Sequence, residues 1–237
     1  MKTIELIVFD LAGTTVKDNR DVHRVLKDTL AKYDVDISLE DANAVMGIPK
    51  PVAIRQLLSE RLDADRPVTD EWIDEIHKVF VSDMIEFYRT DNSVGEKDGV
   101  STLFRKLKER NLKVVVDTGF DRPITNALLE RLGWQRDGLI DASITSDEVK
   151  RGRPYPDMIF KAMELTEVTS PSHVAKVGDT ASDLKEGTSA GCGLVIGVTD
   201  GAFTRDMLQL EMHTHLIDKV TDVLHILQPQ VESKETA

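Results

Sequence analysis

The apolar positions of this chain change period twice. Ile4 to Phe9 is a short, mostly apolar run interrupted only by Glu5 and ending at Asp10, which predicts a buried strand. Leu11-Ala12-Gly13-Thr14-Thr15 follows as a tight loop. From about Val22 to Tyr88 the spacing is helical throughout. Val22, Val25, Leu26 and Leu30 make one stripe, and Val52, Ala53, Ile54, Leu57 and Leu58, between Pro51 and Leu62, make another. Thr69 to Tyr88 makes a third, longer one. After Asp91-Asn92-Ser93-Val94-Gly95 strands and helices alternate. Helices are predicted over Val100–Arg110, Pro123–Leu132, Tyr155–Leu165 and Asp183–Ala190. Strands are predicted over Leu112–Val116, Leu139–Thr145, Val174–Val177 and Leu194–Val198, with a short last one at Leu216–Asp218. The polar tail Gln228–Ala237 is expected to fray.

Strands alternating with helices predict an α/β fold with a parallel sheet covered on both faces. The helical block after the first strand predicts an insertion. The division is therefore 1–17 plus 92–237 for an α/β core and 18–91 for an all-helical domain. Open parallel sheets bind ligands beyond the carboxyl ends of their strands. Here those ends carry Asp10, Thr118 and Asp179.

Charge and composition narrow the partners. The 237 residues include 30 Lys and Arg against 42 Asp and Glu, a net charge of −12. With no basic surplus to neutralise phosphates, nucleic acid and anionic membrane are not expected partners. One cysteine, Cys192, excludes an internal disulfide and a thiolate metal cluster. No apolar run approaches the roughly 18 residues that span a bilayer, and Met1-Lys2-Thr3 does not open a signal peptide. A cytoplasmic location is expected. The six histidines show no ligand spacing beyond His213-x-His215 in a polar stretch, and Trp72 and Trp134 read as packing residues.

The chemistry sits in four separated segments. Asp10 ends a strand before a small flexible loop. Thr118-Gly119 ends another with a hydroxyl and free backbone donors. Lys150-Arg151-Gly152-Arg153-Pro154 supplies fixed cations before a helix. Gly178-Asp179-Thr180-Ala181-Ser182-Asp183 supplies two more carboxylates four apart, of which Asp183 alone reads equally as a helix N-cap. Three carboxylates at short range do not all stay ionised without a cation, and Mg²⁺ suits one or two carboxylates plus substrate oxygens. With an arginine and a hydroxyl facing it, such a site suits a phosphoryl group. One Asp is then free to attack phosphorus.

These segments, in this order, resemble the haloacid dehalogenase superfamily of aspartyl-phosphate hydrolases. The resemblance covers the whole ordered chain. It implies a three-layer, Rossmann-like core with an inserted helical cap domain. It also implies Asp10 as nucleophile, Thr118 holding phosphoryl oxygens, and Mg²⁺ as cofactor on Asp10, Asp179, Asp183 and the Ala12 carbonyl. Two departures from the common pattern stand out. The usual general acid two residues after the nucleophile is replaced by Ala12, which has no proton to donate. The usual motif lysine is replaced by Arg153, although Lys150 lies nearby. Both departures resemble the phosphonatase branch, whose cap lysine stands in a Met-Gly-apolar-apolar-Lys context. This chain has Met46-Gly47-Ile48-Pro49-Lys50.

The chemical logic is consistent. Cleaving a C–P bond leaves a carbanion, and a Lys50 imine with the neighbouring carbonyl converts it to an enamine. An acid at position 12 is then unnecessary. Lys50 precedes Pro51, a favoured first helical residue, so a helix N-terminus and Arg153 are expected to depress its pKa. The resemblance implies Asp10, Lys50, Thr118 and Arg153 as catalytic residues. It implies Ala12, Met46, Gly47, Gly119 and Phe120 around the substrate, a small phosphonate or phosphate. By analogy alone it also implies a homodimer. The match departs from the branch at Ala53, where its members carry histidine, at Phe120, where they carry tyrosine, and near Arg20, where they carry cysteine. The expected activity is C–P hydrolysis of phosphonoacetaldehyde or a related 2-oxo-phosphonate. The alternatives are a phosphoglycolate phosphatase-like phosphomonoesterase and an inactive phospho-ligand-binding scaffold.

Overall fold

The computed structural model describes residues 3–62 and 66–227. The tail expected to fray, Gln228–Ala237, lies outside the described residues. Six strands form one parallel sheet in the order β3-β2-β1-β4-β5-β6. They are β1 (Leu6–Asp10), β2 (Lys113–Thr118), β3 (Ala142–Thr145), β4 (Val174–Gly178), β5 (Leu194–Val198) and β6 (His215–Ile217). β1 pairs with β2 and with β4, so Asp10 lies level with Asp117 across one ladder and Phe9 with Val177 across the other. The chain reverses its direction of travel across the sheet after β3, and β1 and β4 flank the resulting crevice.

Both faces of the sheet are covered, which explains why β1 is an unbroken apolar run. Ile7 and Phe9 point into one cluster with Val114, Val116 and Val177, while Leu6 and Val8 point into another with Val115 and Ile144. Helices α5 (Val100–Glu109) and α6 (Arg122–Leu132) cover the first face, where Phe104 stacks on Phe9 at 5.2 Å and on Trp134 at 5.1 Å. Helix α7 (Asp157–Thr166), through Met158, Ile159, Ala162 and Met163, covers the second.

Four helices lie between β1 and α5: α1 (Asp21–Ala31), α2 (Leu39–Ala44), α3 (Lys50–Arg61) and α4 (Asp70–Thr90). The chain enters and leaves this insert along an antiparallel pair of linkers. Lys17 N donates to Gly95 O at 3.0 Å, and Lys97 N donates to Thr15 O at 2.9 Å. The first boundary drawn from the sequence falls at this crossing and the second a few residues before it. Helix α4 buries Ile73, Ile76, Phe80, Met84 and Tyr88, a stripe at helical spacing. It runs along α6, and Tyr88 meets Phe120 edge-on at 6.0 Å. The apolar residues of the insert merge with those of the first sheet face in one cluster.

Several boundaries shift from expectation for identifiable reasons. β3 starts at Ala142 rather than Leu139, because Leu139 N turns back to Trp134 O at 2.9 Å and Gly138 takes φ +65°. β6 ends one residue early, where Asp218 turns out to hold Thr199 and Arg205. α7 starts at Asp157, since Pro154 and Pro156 keep Tyr155 out of it. Helix α2 was not expected. Ser38 and Asp41 close a capping box on it, a signal that is present in the sequence. The remaining helices are α8 (Ala181–Ala190), α9 (Arg205–Leu208) and α10 (Val223–Ile226). Among the described residues no helix is long and apolar enough to cross a membrane.

Candidate active site

The carboxyl ends of β1 and β4 bring three carboxylates together. After Asp10 the chain folds into a turn in which Thr15 N and Val16 N both donate to Leu11 O, and Thr15 Oγ1 donates to Asp10 O at 2.7 Å. These bonds use the carbonyls of Asp10 and Leu11 and leave that of Ala12 out of the turn's own network. Gly13, at φ +90°, lets Asp179 approach: a Cβ there would lie 2.3 Å from Asp179 Oδ2. Asp179 accepts from Thr14 Oγ1 at 2.7 Å and from Ala202 N at 2.6 Å.

Asp183 is not the N-cap of α8. Thr180 is, and Asp183 occupies the third helical position of a capping box, accepting from Thr180 N and Oγ1 through Oδ2. This leaves Oδ1 to face the site. Asp10, Asp179 and Asp183 each place one carboxylate oxygen within 4.8 Å of the others, all buried. Burial raises the Asp10 pKa well above its ordinary value against the pull of Arg153, and Asp183 and Asp179 raise it further. Burial and Asp183 push Asp179 up to about 6. Three buried oxygen donors that repel one another fit a hard divalent cation such as Mg²⁺.

Arg153 is the hub beneath them, its side chain fully buried. Its Nη1 lies 2.8 Å from Asp10 Oδ1 and 2.6 Å from Asp183 Oδ1, Nη2 lies 3.1 Å from Asp117 Oδ1, and Nε lies 3.5 Å from Glu186 Oε2. Expected to steady phosphoryl oxygens, it is committed here to carboxylates. Lys176 lies alongside, bonded to Asp117 and 2.8 Å from Glu186. Burial opposes ionisation of Asp117, but Lys176 and Arg153 win and hold it below the usual carboxylate range. Burial and Asp117 together push the Glu186 pKa well up, against the pull of Lys176 and Arg153.

Sequence reading missed Asp117, Lys176 and Glu186, although signals existed. A lysine in the middle of Val174–Gly178, otherwise a buried apolar strand, has to find an acid. Glu186 follows Asp183 by three residues, so it lies on the same face of α8.

The insert supplies the other wall. Its loop before α3 seats on the core at three glycines. A Cβ on Gly47 would lie 2.4 Å from Thr180 Oγ1, one on Gly119 would lie 2.8 Å from Ile48 O, and one on Gly152 would lie 2.5 Å from Pro49 Cγ. This contact closes a small cavity whose wall includes Asp10, Ala12, Met46, Lys50, Thr118 and Phe120. Of the eleven positions expected in the site, ten gather around the cavity or in the carboxylate cluster below it, and Gly119 acts as the seat for Ile48.

Lys50 is the first residue of α3 and only 3% exposed. Its Nζ sits 5.4 Å over the Phe120 ring. Burial, more than Arg153, lowers its pKa to about 8, against the opposing pull of Asp10, Asp18 and Asp121. Thr118 Oγ1 accepts from Phe120 N at 3.2 Å, which fixes the loop after β2. Cys192 is not on the cavity wall; it packs against the clusters around Met163 and Leu184, and burial pushes its thiol up to about 12.

A strand-end carboxylate over a cluster of acids and buried cations, on a parallel sheet with a helical insert, defines a hydrolase of the α/β class. A model of the haloacid dehalogenase-like hydrolases matches residues 4–191, and the chain belongs to that family. It is 32% identical to the phosphonoacetaldehyde hydrolase of Bacillus cereus (strain B4264) over 238 residues, which cover 92% of this chain and 85% of the relative. A phosphonoacetaldehyde hydrolase-like protein from Oleispira antarctica shares the fold with a TM-score of 0.84 at 22% identity, covering 95% of this chain and 92% of that one. A putative phosphoglycolate phosphatase from Lactobacillus plantarum shares it with a TM-score of 0.78 at 18% identity, covering 95% and 100%.

Proposed function

We propose that this hydrolase cleaves the C–P bond of phosphonoacetaldehyde or a closely related 2-oxo-phosphonate, using Asp10 as nucleophile and Lys50 as an imine-forming amine. The observation that carries the reading is the pairing of Ala12 with a buried Lys50 on one cavity wall. The loop after the nucleophile lacks a proton donor for an alkoxide. Opposite it stands an amine that burial holds at a pKa of about 8, so that a useful fraction is neutral and nucleophilic near neutral pH.

Mg²⁺, held by Asp10, Asp179, Asp183 and the Ala12 carbonyl, would supply charge neutralisation at the phosphoryl oxygens. The chain's own residues do the rest. Lys50 condenses with the substrate carbonyl and releases water. Asp10 attacks phosphorus, the C–P bond breaks, and its electron pair moves into an enamine on Lys50. Thr118 and the backbone beside it orient the phosphoryl group, and the seated insert keeps bulk water out until the enamine is protonated. Water then clears the acyl phosphate and the imine, releasing orthophosphate and aldehyde.

The test compares phosphate release from phosphonoacetaldehyde with release from a panel of phosphate esters including phosphoglycolate, alongside hydride trapping at Lys50. Turnover of the phosphonate with a trapped Lys50 adduct is expected. Turnover of esters without an adduct would assign ordinary ester hydrolysis instead, and absence of all turnover with no Mg²⁺ binding would assign a scaffold.

A further inference from the structure

Imine chemistry needs protons moved at the carbonyl end, and the groups assigned so far do not move them. Ala12, Met46 and Phe120 have none to give, and Asp10 is committed to phosphorus. Among the described residues, the remaining titratable group on the cavity wall besides Lys50 is Asp18.

Asp18 is built into its place. Its side chain is 8% exposed, and Oδ1 accepts from Asp21 N at 2.6 Å and Val22 N at 3.3 Å at the start of α1. Oδ2 faces His23, whose Nδ1 lies 3.9 Å away. His23 is 2% exposed. Its Nε2 is bonded to Asn43 Oδ1 at 2.9 Å, and its Nδ1 is buried without a hydrogen-bond partner. Because Asn43 Oδ1 accepts, the ring carries its proton on Nε2 when neutral. Its Nδ1 lone pair then points toward the Asp18 carboxyl. A buried basic nitrogen without a partner is expensive, and here it stands directly behind the one spare acid of the cavity.

We infer that Asp18 is the proton donor and acceptor for the carbonyl chemistry at Lys50, and that His23, anchored by Asn43, is the positioning residue behind it. This rests on the imine reading above. Protonated Asp18 gives its proton to the departing hydroxyl of the Lys50 carbinolamine, so water leaves and the iminium and an Asp18 carboxylate remain. After C–P cleavage the enamine carbon takes one proton from reprotonated Asp18, which restores the iminium. In hydrolysis the Asp18 carboxylate accepts the proton of the attacking water, and Lys50 leaves as the free amine. The protons balance over the cycle: the one given to the departing hydroxyl returns from the water that hydrolyses the iminium, and the one given to the enamine carbon reaches Asp18 from solvent and is matched by the proton released when water hydrolyses the acyl phosphate. Burial raises the Asp18 pKa against the pull of His23, and ionised Asp18 in turn raises that of Lys50.

The experiment measures the rate at which acetaldehyde and cyanoborohydride alkylate Lys50, read by peptide mass spectrometry, in the full chain with Mg²⁺. Asp18→Asn keeps Oδ1 for the α1 amides, so the fold is retained. It should slow trapping about 100-fold, within the range of general acid–base catalysis, while inhibition by orthophosphate stays within about twofold. Asp18→Glu, which keeps a carboxyl, should recover to within about tenfold of the wild type. His23→Gln preserves a partner for Asn43 but no basic nitrogen, and should slow trapping about tenfold with the same unchanged phosphate inhibition. Trapping at the wild-type rate in Asp18→Asn overturns the inference and leaves the imine reading intact. A wild-type enzyme whose Lys50 is never alkylated overturns both.

Discussion

Arg153 Nη1 lies between Asp10 Oδ1, at 2.8 Å, and Asp183 Oδ1, at 2.6 Å, tying the end of β1 to the first turn of α8. One guanidinium thereby offsets the repulsion that would otherwise keep two acids protonated. Its planar fork reaches Asp117 as well, which a lysine ammonium on a flexible stem does not do simultaneously. Arg153→Lys should therefore keep the charge but lower kcat about 100-fold, the scale of losing one preorganised donor. Arg153→Ala should cost about 3–5 kcal/mol of stability by stranding buried carboxylates. Steady-state kinetics and urea titration read the two effects, and equal activity of Arg153→Lys and wild type would show that the fork is dispensable.

Gly47 is one of the three glycines at which insert and core meet. At φ +79°, with a would-be Cβ 2.4 Å from Thr180 Oγ1, it tolerates no side chain in the seated loop. Gly47→Ala should lift the loop and move Lys50 away from the cavity. Thermal stability should fall by about 1–2 kcal/mol, the left-handed penalty for a residue with a Cβ. Hydride trapping at Lys50 should fall with kcat/KM, while the Asp10 side, read by orthophosphate inhibition, should change little. A crystal structure of the variant with the loop still seated would remove this explanation.

The alternating sheet and the strand ends were legible because each strand is a short apolar run that stops at a polar residue. Asp10, Thr118 and Asp179 fall at those stops for the same backbone reason that places ligands there. The inward approach of Lys50 was legible only through a motif, since periodicity alone assigns a Pro-Lys-Pro turn to solvent. What stayed hidden depends on tertiary approach. His23 belongs to an ordinary amphipathic stripe, and nothing in α1 tells that Asn43, twenty residues later, will hold its ring. Asp18 reads as linker until Val22 N and Asp21 N turn it toward the cavity. Arg153, expected among phosphoryl oxygens, shows its four acid partners only once the ends of β1 and β2 and the start of α8 converge on it.

Lys176 and Glu186 test whether the lower network is structural. Lys176→Met leaves Asp117 without its bonded ammonium in a dry interior and should cost about 3–5 kcal/mol. Burial and Asp117 push the Glu186 carboxyl up, so Glu186→Gln, which removes a costly buried charge together with its contact to Lys176, should cost less than about 1.5 kcal/mol. The double variant should fall short of the sum of the two by at least about 0.5 kcal/mol, since the residues are in contact. Strict additivity in the denaturation cycle would show that they do not interact.

Asp179 separates repulsion from metal binding. Its carboxylate is pushed up to about 6 by burial and by Asp183. Asp179→Asn removes that charge, and its amide can accept from Ala202 N and donate to Thr14 Oγ1, so both bonds survive. The variant should melt higher than the wild type in EDTA. It should also lose most of the increase in melting temperature that the wild type gains from Mg²⁺ by preferential binding to the native state. An undiminished Mg²⁺ shift in calorimetry would take Asp179 out of the ligand set.

Lys50 gives the pH dependence its sign. The amine attacks a carbonyl only when neutral, and its pKa of about 8 lies below the ordinary 10.5 because burial penalises the ammonium. Alkylation of Lys50 by acetaldehyde and cyanoborohydride should rise about tenfold per pH unit below pH 8 and level off above it, whereas a lysine at its ordinary value would keep rising toward pH 10. Stability carries the opposite face of the same shift. Below about pH 8 both folded and unfolded chains hold the proton, and the folded state bears the full penalty of a buried charge. Between about pH 8 and pH 10 the unfolded chain binds more protons than the folded one, so stability gains with rising pH through that window. Lys50→Met, which fills the same space without the charge, should be more stable than the wild type at pH 7 and should lose the gain between pH 8 and pH 10. A variant whose stability follows the wild-type curve across that window would mean that the ammonium is solvated, and with it the amine available to any aldehyde in solution.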